Sequence, residues 1–360
     1  MKFGAMVATK IDDWRLLQVV EELGYDHGWV PDSQMIWSDC YATLALAAAN
    51  TSRIRLGTGV AVAGTRTAPV TAHSIASIQR LAPGRVFFGI GTGHTAMRTM
   101  GFDPVRAREF REYLRVVRGL LRGEEVDYTY QGKTRPIRFL HRELGFVDVD
   151  REIPIWVAAN GPLALAAAGA FGDGRISAGI ETPDHLRASL DTTRAGARKA
   201  GRREGEPFHT AALTFSCVLR PGETLRDDRV IDACGSMALA SLHFWWELLQ
   251  ERGDDGFVPD VARDDWEQYK KFVDDLGIPR ERLHLRLHEG HCTYLVPEER
   301  RFVTPAVIGT SGGLVGTPDE IVEMLKIQER AGLAEVTLLP PMAHARELFR
   351  EFAQHIMPRM

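Results

Sequence analysis

Short apolar runs alternate along this chain with longer stretches whose apolar positions recur at helical spacing. KFGAMVA (2–8) predicts a strand. Residues 12–23 place Leu16, Val19, Val20 and Leu23 on one helical face, and Gly24 follows as a stop. HGWVPD (27–32) predicts a second strand, with Asp32 at its end. Residues 39–50 predict an almost wholly apolar helix, IRLGTGVAV (54–62) a third strand, and 69–82 a helix opened by Pro69. RVFFGIG (85–91) predicts the fourth strand and 104–122 a long amphipathic helix. The rhythm pauses at VDYTYQGKTRPIRFL (126–140), which reads as a hairpin turning at Gln131-Gly132. It resumes with strands over 153–160, 174–180 and 209–219, separated by helices over 162–171 and 183–201. Between 222 and 315 it is lost; 239–250 and 264–277 read as helices and the rest as loop. A helix from Thr317-Pro318 to Ala331, stopped by Gly332, then leads to a strand over 335–340 and a closing helix over 343–356.

Eight strands with helices between them predict an α/β fold closed as a (β/α)8 TIM barrel. An open Rossmann sheet usually has six strands in two dinucleotide-type halves, and no second half is visible. Residues 1–360 therefore read as one barrel domain, with a hairpin insertion near 124–150 and a helical and loop insertion near 222–315. In such a barrel the carboxyl ends of the strands form the catalytic face, which puts Asp32 there.

A net charge of −4 offers no basic surface, so no nucleic-acid partner is expected. The chain enters a strand at once, without a signal peptide, and YATLALAAA (41–49) is too short to cross a bilayer. Cys40, Cys217, Cys234 and Cys292 are scattered, without a CxxC pair. Reduced thiols, a cytoplasmic location and no membrane contact are the expectations.

Three strands stop abruptly in glycine and small polar residues, leaving bare backbone where phosphate-bearing cofactors bind. GIGTG (89–93) has GxGxG spacing, not the GxGxxG of a dinucleotide fingerprint, and leaves two readings: room under a ring system, or a plain strand-end turn. In AANGP (158–162), Asn160 can cap the next helix, Gly161 admits an anion, and Pro162 needs no N–H partner. The glycines of LGTGV (56–60) mark a bulge or close ligand approach. Asp32 is a catalytic-face residue or a salt-bridge partner. HLRLHEGHC (284–292) places His284 and His288 four apart, but HEGH is not HExxH, and no metal set is assigned. HFWWELL (243–249) is helix core or an aromatic wall for a substrate.

WVPDS (29–33), RIRLGTGV (53–60), PVTAHSIASIQRL (69–81), GRVFFGIGTG (84–93), PIWVAANGP (154–162) and GTPDEIVEMLKIQERAGL (316–333) together resemble the luciferase-like flavin oxidoreductase superfamily. The branch most resembled holds methylenetetrahydromethanopterin reductase and the coenzyme F420-dependent glucose-6-phosphate dehydrogenases. The resemblance implies a barrel with flavin or deazaflavin at its mouth and Asp32 near the ring's reactive edge. It implies a non-proline cis peptide at Gly59-Val60 or Val60-Ala61, and Gly59, Val60 and Ala61 as part of the seat. It implies Thr92 and Gly93 along the ring, and Ala159, Asn160 and Gly161 holding the phosphate, with Arg175 in the turn behind. It also implies a homodimer through helix 41–49. The sugar-phosphate branch carries an acid where this chain has His94 and a histidine where it has Ser33, so glucose 6-phosphate is not the expected substrate. The leading expectation is a monooxygenase using reduced FMN and oxygen on a small organic substrate, with a separate flavin reductase. His94 is its proton donor, and His288 or His291 its replacement. The alternatives are coenzyme F420-dependent hydride transfer and a non-catalytic flavin-binding protein.

Overall fold

The computed structural model describes residues 1–8 and 10–360. Eight parallel strands form its centre: β1 (Lys2–Met6), β2 (His27–Val30), β3 (Arg55–Thr58, continued by Ala61–Val62), β4 (Val86–Gly91), β5 (Ile155–Ala158), β6 (Gly174–Ser177), β7 (His209–Thr214) and β8 (Glu335–Leu338). β1 pairs with β8 and β2, and the pairing of β3 with β4 (Leu56 opposite Val86) closes the ring. The interruption in β3 is a cis peptide at Gly59-Val60, the first of the two bonds implied by the resemblance.

Alternation along each strand separates two cores. Trp29, Phe87, Trp156, Ile176 and Ala211 point into the barrel and pack with Met6 and Leu339. Ala5, Val30, Leu56, Phe88, Val157, Ala212 and Val336 point outward, against the helices. The strands are thus buried on both faces, which explains their nearly unbroken apolar runs. Among the described residues no helix is long and apolar enough to cross a membrane.

The helix Pro162–Phe171 packs closely on the helix Pro183–Lys199 because neither has a side chain at the crossing. A Cβ at Gly169 would collide with the Thr193 carbonyl, and one at Gly196 with the Ala166 backbone. Backbone cannot step aside as a side chain can. Gly169→Ala is therefore expected to destabilise by about 2 kcal/mol or more. Thermal unfolding checks this, and an unchanged midpoint would refute the crossing.

The hairpin forms where the sequence places it, Val126–Tyr130 against Lys133–Ile137. Gln131 (φ 48°) and Gly132 (φ 75°) supply the left-handed pair that a two-residue turn needs. The region after β7 differs from expectation. Its first helix runs Asp228–Arg252, starting well before residue 239, because Val230, Ala233, Cys234 and Ala238 belong to the same buried face. Further helices cover Arg263–Asp275, Arg280–Leu287 and Pro305–Thr310, much of which reads as loop in the sequence. The run 209–219 breaks at Phe215, and Ser216–Val218 pairs with Leu314–Gly316 in a separate two-stranded sheet. Trp245 and Trp246 pack on Trp266 within this region's own core, so they form no wall for a substrate. Cys292, Met237 and Ala240 from the same region complete the barrel's interior cluster and cover part of its mouth.

Candidate active site at the barrel mouth

Gly93, just past the end of β4, takes the left-handed region (φ 80°) and turns the chain into a short helix, His94–Arg98. That turn sets His94 against the long helix Asp228–Arg252. Its Nδ1 lies 3.4 Å from Glu247 Oε2, and its ring meets Phe244 edge-on at 5.3 Å. The other oxygen of Glu247, Oε1, is 2.9 Å from His288 Nε2, while Arg98 Nε lies 3.7 Å from Oε2. Glu247 is thus a buried carboxylate between two imidazoles. Burial pushes the His94 pKa below 6.5, and Glu247 only partly offsets it. The imidazole is therefore mainly neutral at neutral pH.

His291 completes the cluster, its ring 5.7 Å from that of His288. Burial, reinforced by His288 and His243, pushes its pKa down to about 3. Its Nε2 lies 3.4 Å from the Cys292 thiol, which burial pushes up to about 12. His291 is thus a neutral imidazole at neutral pH, without the extra proton of an imidazolium, and Cys292 stays a thiol. His284 does not converge with His288: it lies beside Gly101, while His288 turns to Glu247.

The pH dependence of stability follows from His291. The unfolded chain takes up a proton near pH 6.5 that the native state refuses until about 3, so stability falls as pH drops through that window. His291→Gln is expected to flatten this slope between pH 6.5 and 4. Thermal melts of both proteins across that range check it, and identical slopes would refute it.

Asp32 belongs to a second cluster. Arg66 Nη1 donates to both carboxylate oxygens at 2.9 and 2.7 Å, Gln34 Nε2 donates at 2.6 Å, and the Val62 amide at 3.3 Å. Arg66 also holds Asp39 at 2.8 Å and lies 4.6 Å over the Tyr41 ring. Burial raises the Asp32 pKa, with Arg66 opposing it. The structure gives Asp32 a salt bridge and places it just beyond the carboxyl end of β2. Through Val62 it pins the strand just beyond the cis peptide. The cleft lined by Arg66, Thr67, Arg108, Tyr113 and Tyr128 is about 690 Å³ in volume.

The glycine-ended strands need separate accounts. A Cβ at Gly57 would strike Phe87, and one at Gly89 the Thr58 carbonyl. Both glycines serve close approach of the chain to itself rather than to a ring. Gly91 is less crowded, but a Cβ there would still press on Val60 and Ala158 at 3.1 Å, both in the interior cluster beneath the mouth. Val60 and Ala61 follow the cis peptide, and Thr92 and Gly93 stand half-buried at the neighbouring strand end.

Ala159, Asn160 and Gly161 form an open corner. Gly161, not Asn160, is the N-cap of the helix Pro162–Phe171, and no side chain caps it. Asn160 Oδ1 is taken by the Ala178 amide at 3.4 Å. The Leu163 and Ala164 amides find no acceptor among the described residues, and a Cβ at Gly161 would meet open space. Free amides at the positive end of a helix suit a phosphate. Arg175, expected in this turn, lies behind it: 1% exposed, it donates to the Ala159 carbonyl at 3.0 Å and pairs with Glu181 at 2.9 Å. It braces the corner from within and does not line it.

Glu247 and Arg66 escape sequence reasoning. Glu247 sits in an apolar run far in sequence from His94, and Arg66 lies in a loop without a motif.

The luciferase-like monooxygenase family model matches residues 12–335. The chain is 33% identical over 362 residues to the F420-dependent glucose-6-phosphate dehydrogenase of Beutenbergia cavernae, covering 95% of this chain and 91% of that one. It is 33% identical over 204 residues to the 5,10-methylenetetrahydromethanopterin reductase of Methanolobus tindarius, spanning 56% of this chain and only 59% of the reductase. The coenzyme F420-dependent tetrahydromethanopterin reductase of Methanopyrus kandleri has the same fold, with a TM-score of 0.68 at 22% identity over 99% of this chain and 98% of that one.

Proposed function

The chain belongs to the luciferase-like monooxygenase family, and from that premise we propose an oxidoreductase that seats coenzyme F420 at its barrel mouth. Its reaction is hydride transfer to or from a small alcohol or carbonyl substrate. This reverses the order of cofactors expected from sequence. Relatives named for coenzyme F420, one matching almost the whole chain, support the deazaflavin over FMN. The oxygen-using reading and its separate flavin reductase become the second choice.

The corner at Asn160 and Gly161 fits such a cofactor. Its unpaired amides and open space suit the phosphate, and the half-buried Thr92 and Gly93 with Val60 suit one face of the ring. When bound, coenzyme F420 supplies two-electron hydride chemistry. The chain supplies the proton transfer. His94 Nδ1 faces Glu247, which leaves Nε2 to take the proton of a substrate hydroxyl in the oxidative direction. Glu247 stabilises the imidazolium that forms, and His288 fixes Glu247 from its other oxygen. Cys292, Met237 and Ala240 crowd the mouth and exclude water, which favours a small substrate. His94 and Ser33 replace the residues expected in the sugar-phosphate branch, which argues for a different substrate.

The single observation that carries this reading is the Glu247 carboxylate held between His94 and His288 at the rim. Assay of small secondary alcohols with coenzyme F420 under anaerobic conditions tests it. Reduction of the deazaflavin without oxygen is expected. Turnover that needs FMN and consumes oxygen would restore the monooxygenase. Flavin binding without turnover of either kind would leave a binding protein.

The homodimer remains part of this proposal. The helix Cys40–Asn50 buries Tyr41, Leu44, Ala47 and Ala48 in its own chain and leaves Ala42, Leu46 and Ala49 outward as the pairing strip.

A further inference from the structure

Three strands begin with residues that are unusual inside a barrel: His27 on β2, His209 on β7 and Glu335 on β8. They lie at the amino-terminal floor, at the opposite end from the mouth. Glu335 is fully buried. Its Oε1 accepts from Trp29 Nε1 and Thr337 Oγ1, both at 2.8 Å. Its Oε2 lies 2.7 Å from His27 Nδ1 and 2.6 Å from His209 Nε2. To reach β2, the carboxylate crosses β1 at Gly4, where any Cβ would collide with Oε1 and with Thr337 Oγ1. Trp156 stacks on His209 at 4.3 Å and meets His27 edge-on at 5.1 Å, which fixes both rings.

A hydrogen-bonded plug accounts for only part of this. His209 Nε2 satisfies Oε2, and His27 Nδ1 stands 2.7 Å from the same oxygen without an aligned hydrogen bond to it. His27 is only 5% exposed, so Nδ1 has no solvent to turn to in place of that oxygen.

We propose that His27, His209 and Glu335 bind a divalent first-row transition ion of zinc type, which staples β2, β7 and β8 across β1. The three ligand atoms lie within 4.8 Å of one another. Imidazole and carboxylate are the donors that zinc, cobalt and iron(II) accept. With metal–ligand bonds of about 2.0–2.1 Å, tetrahedral ligands stand about 3.3 Å apart. Oε2 stands closer than that to both nitrogens, so the three groups rearrange to admit the ion. Trp29 and Thr337 already hold the second carboxylate oxygen, the outer support that metal ligands need. The His209 side chain is 18% exposed and gives access from the floor, where water completes the coordination.

Titration of EDTA-dialysed full-length protein with cobalt(II) chloride tests the site. One saturating equivalent with tetrahedral visible bands is expected, displaced by zinc, and zinc should raise the melting temperature of the wild type. His209→Gln, at the open edge, and Glu335→Gln should each bind cobalt about tenfold or more weakly. The double variant His284→Gln, His288→Gln should keep the full equivalent, since those residues lie at the other end. Absence of a saturable signal in the wild type would overturn the proposal. So would an equivalent that survives His209→Gln or disappears with the pair at 284 and 288. If Glu335→Gln does not fold, the wild-type melt and His209→Gln still decide the matter.

Discussion

His94→Gln is expected to lower turnover about 10²–10³-fold while leaving the affinity for coenzyme F420 unchanged. Glutamine keeps much of the volume and a polar end, so the turn after Gly93 and the contact with Phe244 persist. What it loses is a group that can accept a proton near neutrality. The pH profile separates this from a structural effect. Since burial lowers the His94 pKa from its ordinary value, the acid limb of alcohol oxidation in the wild type should lie to the acid side of that of a free imidazole. Lower pH protonates the base and removes it, so the acid limb is the one at issue. In the variant that limb should vanish. Glu247→Gln should keep the limb but shift it further to acid, because the carboxylate that favours the imidazolium is gone. It acts through His94 and is a positioning residue. Steady-state kinetics from pH 5 to 8 check both variants. Wild-type turnover in His94→Gln would remove it from the mechanism.

The second large effect belongs to the other side of the mouth. Gly161→Glu is expected to weaken coenzyme F420 binding about tenfold to a hundredfold without lowering the melting temperature. The position has no neighbour within reach of a Cβ and an ordinary negative φ, so the fold has no reason to object. The new carboxylate would sit at the start of the helix Pro162–Phe171, over the Leu163 and Ala164 amides, and take the place meant for the phosphate. It should stabilise that helix slightly, as an acid at an amino terminus does. Loss of affinity with gain or retention of stability is the signature; unchanged affinity would place the phosphate elsewhere.

The barrel was legible because its strands are buried on both faces and read as apolar runs, and because turn chemistry was local. Gln131-Gly132 marks the hairpin and Thr317 with Glu320 forms the capping box that opens its helix. What sequence could not reach were pairings across distance. Arg66 meets Asp32 from the next loop, and Glu247 meets His94 and His288 from separate elements. Neither has a spacing that would reveal it. Asn160 shows a subtler limit. Its type suits a cap, but its oxygen is used by Ala178, and Gly161 takes the capping position with the amides left bare. The region 222–315 lost its rhythm because its helices bury their apolar faces against one another, with Trp245, Trp246 and Trp266 at the centre.

Parallel titration of the purified protein with coenzyme F420 and with FMN tests the seat at the mouth most directly. Saturable binding of the deazaflavin, at least about tenfold tighter than FMN and weakened by Gly161→Glu, is the expected result. Tighter binding of FMN, or binding of either that ignores Gly161, would contradict it.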